Sequence, residues 1–385
     1  MVVRIGVVGL GNMGTSHCRN IAKITDYKLT AVADVRTSRV EKLSERYECE
    51  GFSDPVKLIK SGSCDAVLIA TPHFDHTPLG IAALKQGLHV LMEKPISAQK
   101  ADCEKLIRAH QDESVVFAAM FNQRSNPQYQ KILQMLSDGT LGRVRRFSWT
   151  ITDWFRPQSY FDSGGWRATW AGEGGGVLLN QSPHQLDLLQ WLFGMPDQVH
   201  AFCEFGKYHD IEVEDSVTAR LSYDDGCEGI FISTTGEAPG LNRLEIAAEN
   251  GLLVYDASAD HMTFTQNNKA VSRAIAENQP FESPEVEVHS FPVQGEGRQH
   301  VEILENFAAA ILRGETIIAP AAEGIYSVEL ANAMLLSGAR SRVVELPLNS
   351  RSYANQLKKW IASSSYQAEV EADKPDVQDV SKSWK

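Results

Sequence analysis

Apolar and polar positions follow two different rhythms along this chain, and the rhythm changes near residue 143. Before that point, short continuous apolar runs recur at 2–8, 27–33, 66–69, 89–92 and 115–119. Runs of this length with no polar alternation predict strands covered on both faces. Between them the apolar positions recur at helical spacing, over 12–24, 38–47, 78–86 and 98–111. Strand alternating with helix predicts a parallel sheet layered between helices. Past residue 143, strand signals at 199–205, 216–222, 229–235 and 243–248 follow one another with few helices between them. Asp224-Asp225-Gly226 marks a hairpin turn. This half predicts a largely antiparallel open sheet with one face on helices. Helical spacing returns over 301–312, 321–340 and 352–362, and the polar stretch 363–385 predicts a mobile arm. The expectation is an α/β protein with units at 1–122, 123–350 and 351–385.

The first strand runs into Gly9-Leu10-Gly11-Asn12-Met13-Gly14, and the second ends at Asp34, about twenty residues further on. Strand, glycine loop, helix, strand and acid form the layout of a dinucleotide site in a Rossmann domain. Gly9 permits the tight turn, Gly11 lets backbone approach a pyrophosphate, and Gly14 lets helix pack on strand. The helix N-terminus, with Asn12 and Met13, offers N–H groups and a positive dipole end to phosphate.

Charge narrows the partners. The formal net charge is −12, and no basic block offsets it, which argues against nucleic acid. The six cysteines are scattered without a C-x-x-C pair, as expected of reduced thiols in a cytoplasmic protein. Arg4 interrupts the apolar N-terminus, which reads as a strand rather than a signal peptide. No stretch approaches the length of a membrane span.

Three further segments carry candidate chemistry. Ala70-Thr71-Pro72-His73-Phe74-Asp75-His76 follows the 66–69 strand, and Glu93-Lys94-Pro95 follows the 89–92 strand. Both fall at carboxyl ends of parallel strands, where ligands bind in open α/β sheets. A lysine there can donate to a substrate hydroxyl, and burial would lower its pKa. The third segment is 174–192, three glycines followed by an apolar helical pattern. On that pattern Asn180, His184 and Asp187 share one face. Buried polar groups need partners or a site, and histidine carries protons near neutral pH. His73 and His76 resemble a ligand pair, but no third ligand is evident and no metal is expected. His300, opening a late helix, reads as structural or peripheral.

With these motifs in order, residues 1–350 resemble the Gfo/Idh/MocA oxidoreductases, the glucose–fructose oxidoreductase, inositol dehydrogenase and rhizopine-catabolism family. The resemblance rests on Gly9–Gly14, Thr71-Pro72 with His76, Glu93-Lys94-Pro95, and Trp166-Arg167 ahead of the segment ending at His184. It implies a Rossmann domain followed by an α/β domain whose open sheet often mediates homodimers or homotetramers. It also implies hydride transfer between a nicotinamide and a secondary alcohol of a sugar, glycoside or cyclitol. Lys94 matches the family's catalytic lysine, followed by Pro95, and His184 its acid/base histidine. Most members carry aspartate where this chain has Asn180, which cannot take a proton and is left to position substrate or orient the histidine. Asp187 is a further candidate to orient His184. By the same resemblance Thr71, Pro72, His76, Glu93, Asn122, Trp166 and Arg167 lie at the cofactor, and Asn122, Gln123 and Arg124 at the cofactor or pocket wall.

Asp34 would accept bonds from the adenosine ribose and repel a 2′-phosphate, favouring NAD; Arg36 and Arg39 leave NADP open. Four of the seven tryptophans, Trp149, Trp154, Trp166 and Trp170, lie close together with Phe155, Tyr160 and Phe161, interleaved by Arg156 and Arg167. Aromatic faces suit sugar rings, with Trp154, Tyr160 and Arg167 as substrate contacts; the same cluster also reads as a small core under a loop. Two alternatives to a dehydrogenase stay open: a glycoside-cleaving enzyme using bound NAD transiently, and a non-enzymatic dinucleotide sensor.

Overall fold

The computed structural model describes residues 1–293 and 295–365; the expected mobile arm falls almost wholly outside them. Six strands form the first sheet: β1 (Val3–Val8), β2 (Tyr27–Ala33), β3 (Glu50–Phe52), β4 (Ala66–Ile69), β5 (His89–Met92) and β6 (Phe117–Ala119). All pair in parallel, in the order β3-β2-β1-β4-β5-β6. The order reverses between β1 and β4, which opens a crevice at their carboxyl ends. The interior strands are dry on both faces, as a helix-covered parallel sheet requires: every side chain of β4 is buried. The bounds of β2, β4 and β5 are those the apolar runs predict. β3 escaped the pattern because it is three residues long and half solvated. The helix after β4 runs His73–Lys85 with Pro78 inside it, five residues earlier than the pattern places it. Pro78 forfeits one helical hydrogen bond there without ending the helix.

The second sheet holds nine strands: β7 (Val144–Ile151), β8 (Gln198–Phe205), β9 (Glu214–Ser222), β10 (Glu228–Thr234), β11 (Asn242–Ala248), β12 (Gly251–Asp256), β13 (His261–Asn267), β14 (Val286–Pro292) and β15 (Val344–Glu345). Their order is β14-β13-β12-β11-β7-β10-β9-β8-β15. All neighbours are antiparallel except β7 and β10. Alternate residues point inward, among them Phe147, Trp149 and Ile151 of β7. They pack on the helices Pro183–Phe193 and Gly324–Arg340. The opposite face is open, and Phe202 and Leu252 are exposed on it.

The chain does not divide cleanly at residue 122. The helix His300–Arg313 returns to the first sheet, where Leu304 and Phe307 join Val3 and Ile5 in one core. Tyr27 Oη donates to the Leu304 carbonyl at 2.6 Å, and Ala119 N–H donates to the Ala319 carbonyl at 2.9 Å. The linear expectation of one unit over 123–350 missed this return, because helical spacing says nothing about which sheet a helix covers. A buried ion pair, Lys100 Nζ to Glu329 at 2.7 Å, ties the start of the Lys100–Ala109 helix to the Gly324–Arg340 helix. Trp360 of the Ser350–Ala362 helix stacks on Trp170, ring centroids 4.3 Å apart. Among the described residues no helix is long and apolar enough to cross a membrane.

Candidate active site

The loops after β1, β4 and β5 meet at one edge of the first sheet. Gly9 adopts φ +88, and a Cβ on Gly14 would lie 1.7 Å from its carbonyl oxygen. Turn and helix are therefore in backbone contact. Gly11 faces open space, with nothing within 4 Å of a Cβ built there. The helix Asn12–Ile21 has no side-chain cap, so its first-turn N–H groups, at half-buried Asn12 and Met13, look onto that opening. Asp34 follows β2 and is nearly buried; its oxygens accept from Leu10 N–H at 2.7 Å and Arg36 N–H at 2.8 Å. Arg39 approaches the same carboxylate at 3.4 Å.

These residues fit a nicotinamide dinucleotide. The glycine loop and helix end would hold the pyrophosphate, and Asp34 the adenosine ribose. The Thr71 hydroxyl and the Asn122 side-chain oxygen are buried with no partner among the described residues, and such orphans mark polar contacts left for a ligand. The Asn122 amide donates to Gln299.

Lys94 stands at the end of β5, half-buried, before a cis bond to Pro95. Its Nζ donates to the backbone carbonyl of Asn180 at 2.7 Å. Burial lowers its pKa, the negative charges of Glu93 and Glu173 pull it back up, and Arg167 and Arg156 oppose them. Glu93 is buried and held by its neighbours. It lies 2.6 Å from His17 Nε2 and accepts from Lys94 N–H at 3.0 Å, because a buried carboxylate needs partners. Burial disfavours its charge, but the His17 bond and the nearby Lys94 and His300 outweigh that and hold the carboxyl down at about 2.

His184 is 1% exposed, and neither ring nitrogen has a partner among the described residues. Its ring meets Phe121 edge-on, centroids 6.3 Å apart. Burial, with Lys94 and His300 adding to it, pushes its pKa well below the ordinary value. The imidazole is therefore neutral at neutral pH.

Several expectations change. The helix carrying His184 begins at Pro183, so Asn180 lies ahead of it and does not share a helical face with His184 and Asp187. Proline lacks the N–H an interior position needs and belongs at the first helical position. The Asn180 side chain donates to Glu173 and lies 3.5 Å from Tyr160 Oη; it does not reach His184. Asp187 does not orient His184 either. It takes Arg124 in a two-point ion pair at 2.7 and 2.6 Å. Arg124, expected at the pocket wall, is 1% exposed and also binds Glu323 at 2.5 Å. Its donors are committed to joining helices rather than to a ligand. His76 lies 2.8 Å from both the Thr71 and the Pro95 carbonyls, bridging the two loops with both ring nitrogens. His73 Nδ1 lies 3.0 Å from the Glu173 carbonyl. Among the described residues no three His, Cys, Asp or Glu side chains gather as metal ligands.

The aromatic cluster divides. Trp149, Trp170 and Phe161 belong to the core. Trp154, Tyr160 and Trp166 are half-buried, and Trp154 Nε1 has no partner among the described residues. Arg167 lies 4.9 Å from both the Tyr160 and the Trp166 ring centroids. Pro72 caps the helix that starts at His73, and Trp166 meets His73 edge-on at 5.8 Å.

Sequence reasoning missed two carboxylates and one histidine, and read another histidine, His300, as structural or peripheral. Glu173 is buried; its carboxylate accepts from Ala168 N–H at 2.7 Å and from the Asn180 amide. Glu214 reaches from β9 to the Gly176 and Leu178 N–H groups at 2.8 and 3.0 Å. His17 was findable, since it shares a helix face with Gly14, Cys18 and Ile21, all buried. His300 lies 5.7 Å from His17, ring to ring, and its pKa is pushed down to about 4 by burial. That sets it beside the site rather than at the periphery. Nothing in the local pattern marks Glu173 or Glu214.

Residues 3–121 match the family described as an oxidoreductase family with an NAD-binding Rossmann fold. Residues 129–254 match the GFO/IDH/MocA C-terminal domain. A myo-inositol 2-dehydrogenase of Thermotoga maritima is 28% identical over 66% of this chain and 75% of its own length. An inositol 2-dehydrogenase of Rhizobium meliloti is 24% identical over 90% of this chain and all of its own. The solved structure of the WlbA dehydrogenase of Chromobacterium violaceum, in complex with NADH and UDP-GlcNAcA, superposes with a TM-score of 0.78 at 25% identity. That match covers 90% of this chain and 97% of the other.

Proposed function

The chain belongs to the GFO/IDH/MocA oxidoreductases, and we propose that it oxidises a secondary alcohol of a sugar, glycoside or cyclitol with NAD as hydride acceptor, the reaction being reversible. The observation that carries this reading is His184: a buried imidazole whose two nitrogens have no partner among the described residues, close enough to Lys94 to feel its charge. Among the compounds named for its relatives, inositol is a cyclitol and UDP-GlcNAcA carries a sugar ring with secondary hydroxyls.

In this mechanism the Lys94 ammonium keeps one N–H on the Asn180 carbonyl and turns another to the substrate hydroxyl. It stabilises the negative charge that develops on that oxygen. Neutral His184 takes the hydroxyl proton as general base and returns it in the reverse direction. NAD, when bound, supplies the hydride-accepting carbon. Trp154, Tyr160, Trp166 and Arg167 line the substrate side, where apolar ring faces and a guanidinium meet a polyol. The open outer face of the second sheet, with Phe202 and Leu252 exposed, supports a homodimer or homotetramer, which sedimentation reads directly.

The test is nicotinamide reduction by the purified protein across sugars, methyl glycosides, sugar acids and inositols, with NAD and NADP in parallel. Lys94→Ala is expected to lower kcat by about 10³-fold while NAD still binds. Full activity in that variant removes the lysine's role. Tight NAD binding with aglycone release and no net NADH points instead to glycoside cleavage. Tight binding with no turnover of any kind points to a dinucleotide sensor.

A further inference from the structure

Glu173 is 2% exposed and carries a carboxylate deep in the protein. Among the described residues no Lys, Arg or His lies at ion-pair distance from it. Two donors from different segments converge on it: the Ala168 N–H at 2.7 Å and the Asn180 side-chain amide. Ala168 sits at φ +54, a left-handed conformation that a non-glycine residue holds only when its surroundings fix it. The Glu173 bond is one such tie, and Glu212 N–H to the Ala168 carbonyl at 3.3 Å is another. Fixing the Asn180 amide fixes the residue whose carbonyl takes Lys94 Nζ at 2.7 Å. The Glu173 carbonyl also faces His73 Nδ1 at 3.0 Å. One residue thus ties the loop before the glycines, the loop after them and the start of the His73–Lys85 helix.

We infer that Glu173 is a positioning residue: acting through Asn180, its carboxylate sets the place and the charge of Lys94 in the reaction proposed above. The inference rests on that dehydrogenase reading. Asn180 alone offers Lys94 only a neutral carbonyl; Glu93 and Glu173 both lend it negative charge, Glu93 from the strand end where His17 holds it and Glu173 through the residue that takes the ammonium. Glu173 supplies negative charge behind the amide, where it favours the protonated amine in a site of low dielectric.

The charged and titratable groups facing Glu173 come from every element around it. They are Lys94 after β5, His73 at the head of its helix, Arg167 in the preceding loop and Glu214 on β9. Burial raises the Glu173 carboxyl to about 6, against the pull of its hydrogen bonds and of Arg167 and Lys94. It therefore ionises near pH 6, and the ionised form is the one that supports Lys94. Activity should rise with pH through about 6. His184 cannot supply that limb, since its pKa lies well below its ordinary value.

The experiment is a pH profile of NAD reduction for the wild type, Glu173→Gln and Glu173→Asp, with NAD affinity measured by fluorescence. Glu173→Gln keeps shape and loses charge. It is expected to lower kcat by about 100-fold, the scale of a misplaced catalytic group, to lose the limb near pH 6, and to bind NAD as before. Glu173→Asp keeps the charge and should recover part of kcat together with the limb. Wild-type kcat in Glu173→Gln, or a limb unchanged in it, overturns the inference. If Glu173→Gln does not fold, the wild type and Glu173→Asp decide, because a wild-type profile flat from pH 5 to 8 overturns it equally. A wild type inert on every polyol brings down the dehydrogenase reading and this inference with it. An active wild type with an unaffected Glu173→Gln brings down this inference alone.

Discussion

The two sides of the site are built from different materials. The cofactor edge is made of backbone: a glycine turn, a helix end in contact with it and strands dry on both faces. The side proposed to take the substrate is held from behind by buried charge. Glu214 clamps the glycine-rich loop, Glu173 ties Ala168 to Asn180, and Arg124 joins Asp187 to Glu323. Steric fit tolerates no added atom but is indifferent to pH. Charge networks tolerate changes of shape but fail when one partner is removed, and they respond to protons. The two sides should therefore break differently.

The largest effect is expected at Gly14→Ala. The new methyl would overlap the Gly9 carbonyl oxygen at 1.7 Å, and the clashing atom is backbone rather than the end of a flexible side chain. The helix must leave the turn, at a cost above about 4 kcal/mol, in the range that marks an exceptional single substitution. NAD affinity should fall by 100-fold or more, about 2.7 kcal/mol, or the protein should fail to fold. Equilibrium binding and thermal unfolding check this. Ordinary affinity and stability would mean that the close contact does not hold the edge together.

Arg124→Met comes next and tests the other side. It leaves Asp187 as a buried carboxylate without its partner and frees Glu323. Breaking a buried pair from one side costs about 3–5 kcal/mol, whereas replacing both partners by apolar groups is often near neutral. Urea unfolding should therefore show Arg124→Met strongly destabilised and Arg124→Met/Asp187→Leu less so. Equal losses in the two would assign Arg124 a packing role only.

The contrast also explains what was legible in the sequence. β2, β4 and β5 were readable to the residue because a dry parallel strand is an unbroken apolar run, and the glycine loop because only glycine satisfies its contacts. Lys94 and His184 were singled out through motif order. The partners of Arg124, Asn180 and Asp187 were not, because ion pairs join residues far apart in sequence, and spacing reports only local faces. The supposed face shared by Asn180 and His184 failed for a local reason: Pro183 starts the helix that was read through it. Glu173 and Glu214 left no trace, since a single acid beside a glycine run reads as a loop. The return of His300–Arg313 to the first sheet was equally silent, because its amphipathic spacing would suit either layer.

The smallest effect sharpens the comparison most, since it concerns protons alone. Glu214 is fully buried on β9, and burial raises its carboxyl to about 7 even though two N–H groups bond to it. The unfolded chain ionises this group near its ordinary value of 4.5. Between those values the folded protein holds the proton more tightly than the unfolded chain, so raising the pH favours unfolding. The contribution is complete below about pH 4.5 and fades as the pH climbs to about 7. Its upper bound is about 3 kcal/mol, since each tenfold gain in proton affinity is worth about 1.4 kcal/mol. Glu214→Gln removes the titration and adds a pH-independent cost, because its amide can accept only one of the two N–H bonds. The gap in unfolding free energy between wild type and Glu214→Gln should therefore be wider at pH 5 than at pH 8, by about 1–3 kcal/mol. Urea unfolding of both proteins at the two pH values measures the gap. A gap that does not change with pH would show that Glu214 ionises as an ordinary acid. The clamp on the glycine-rich loop would then be as indifferent to protons as the glycine turn across the site.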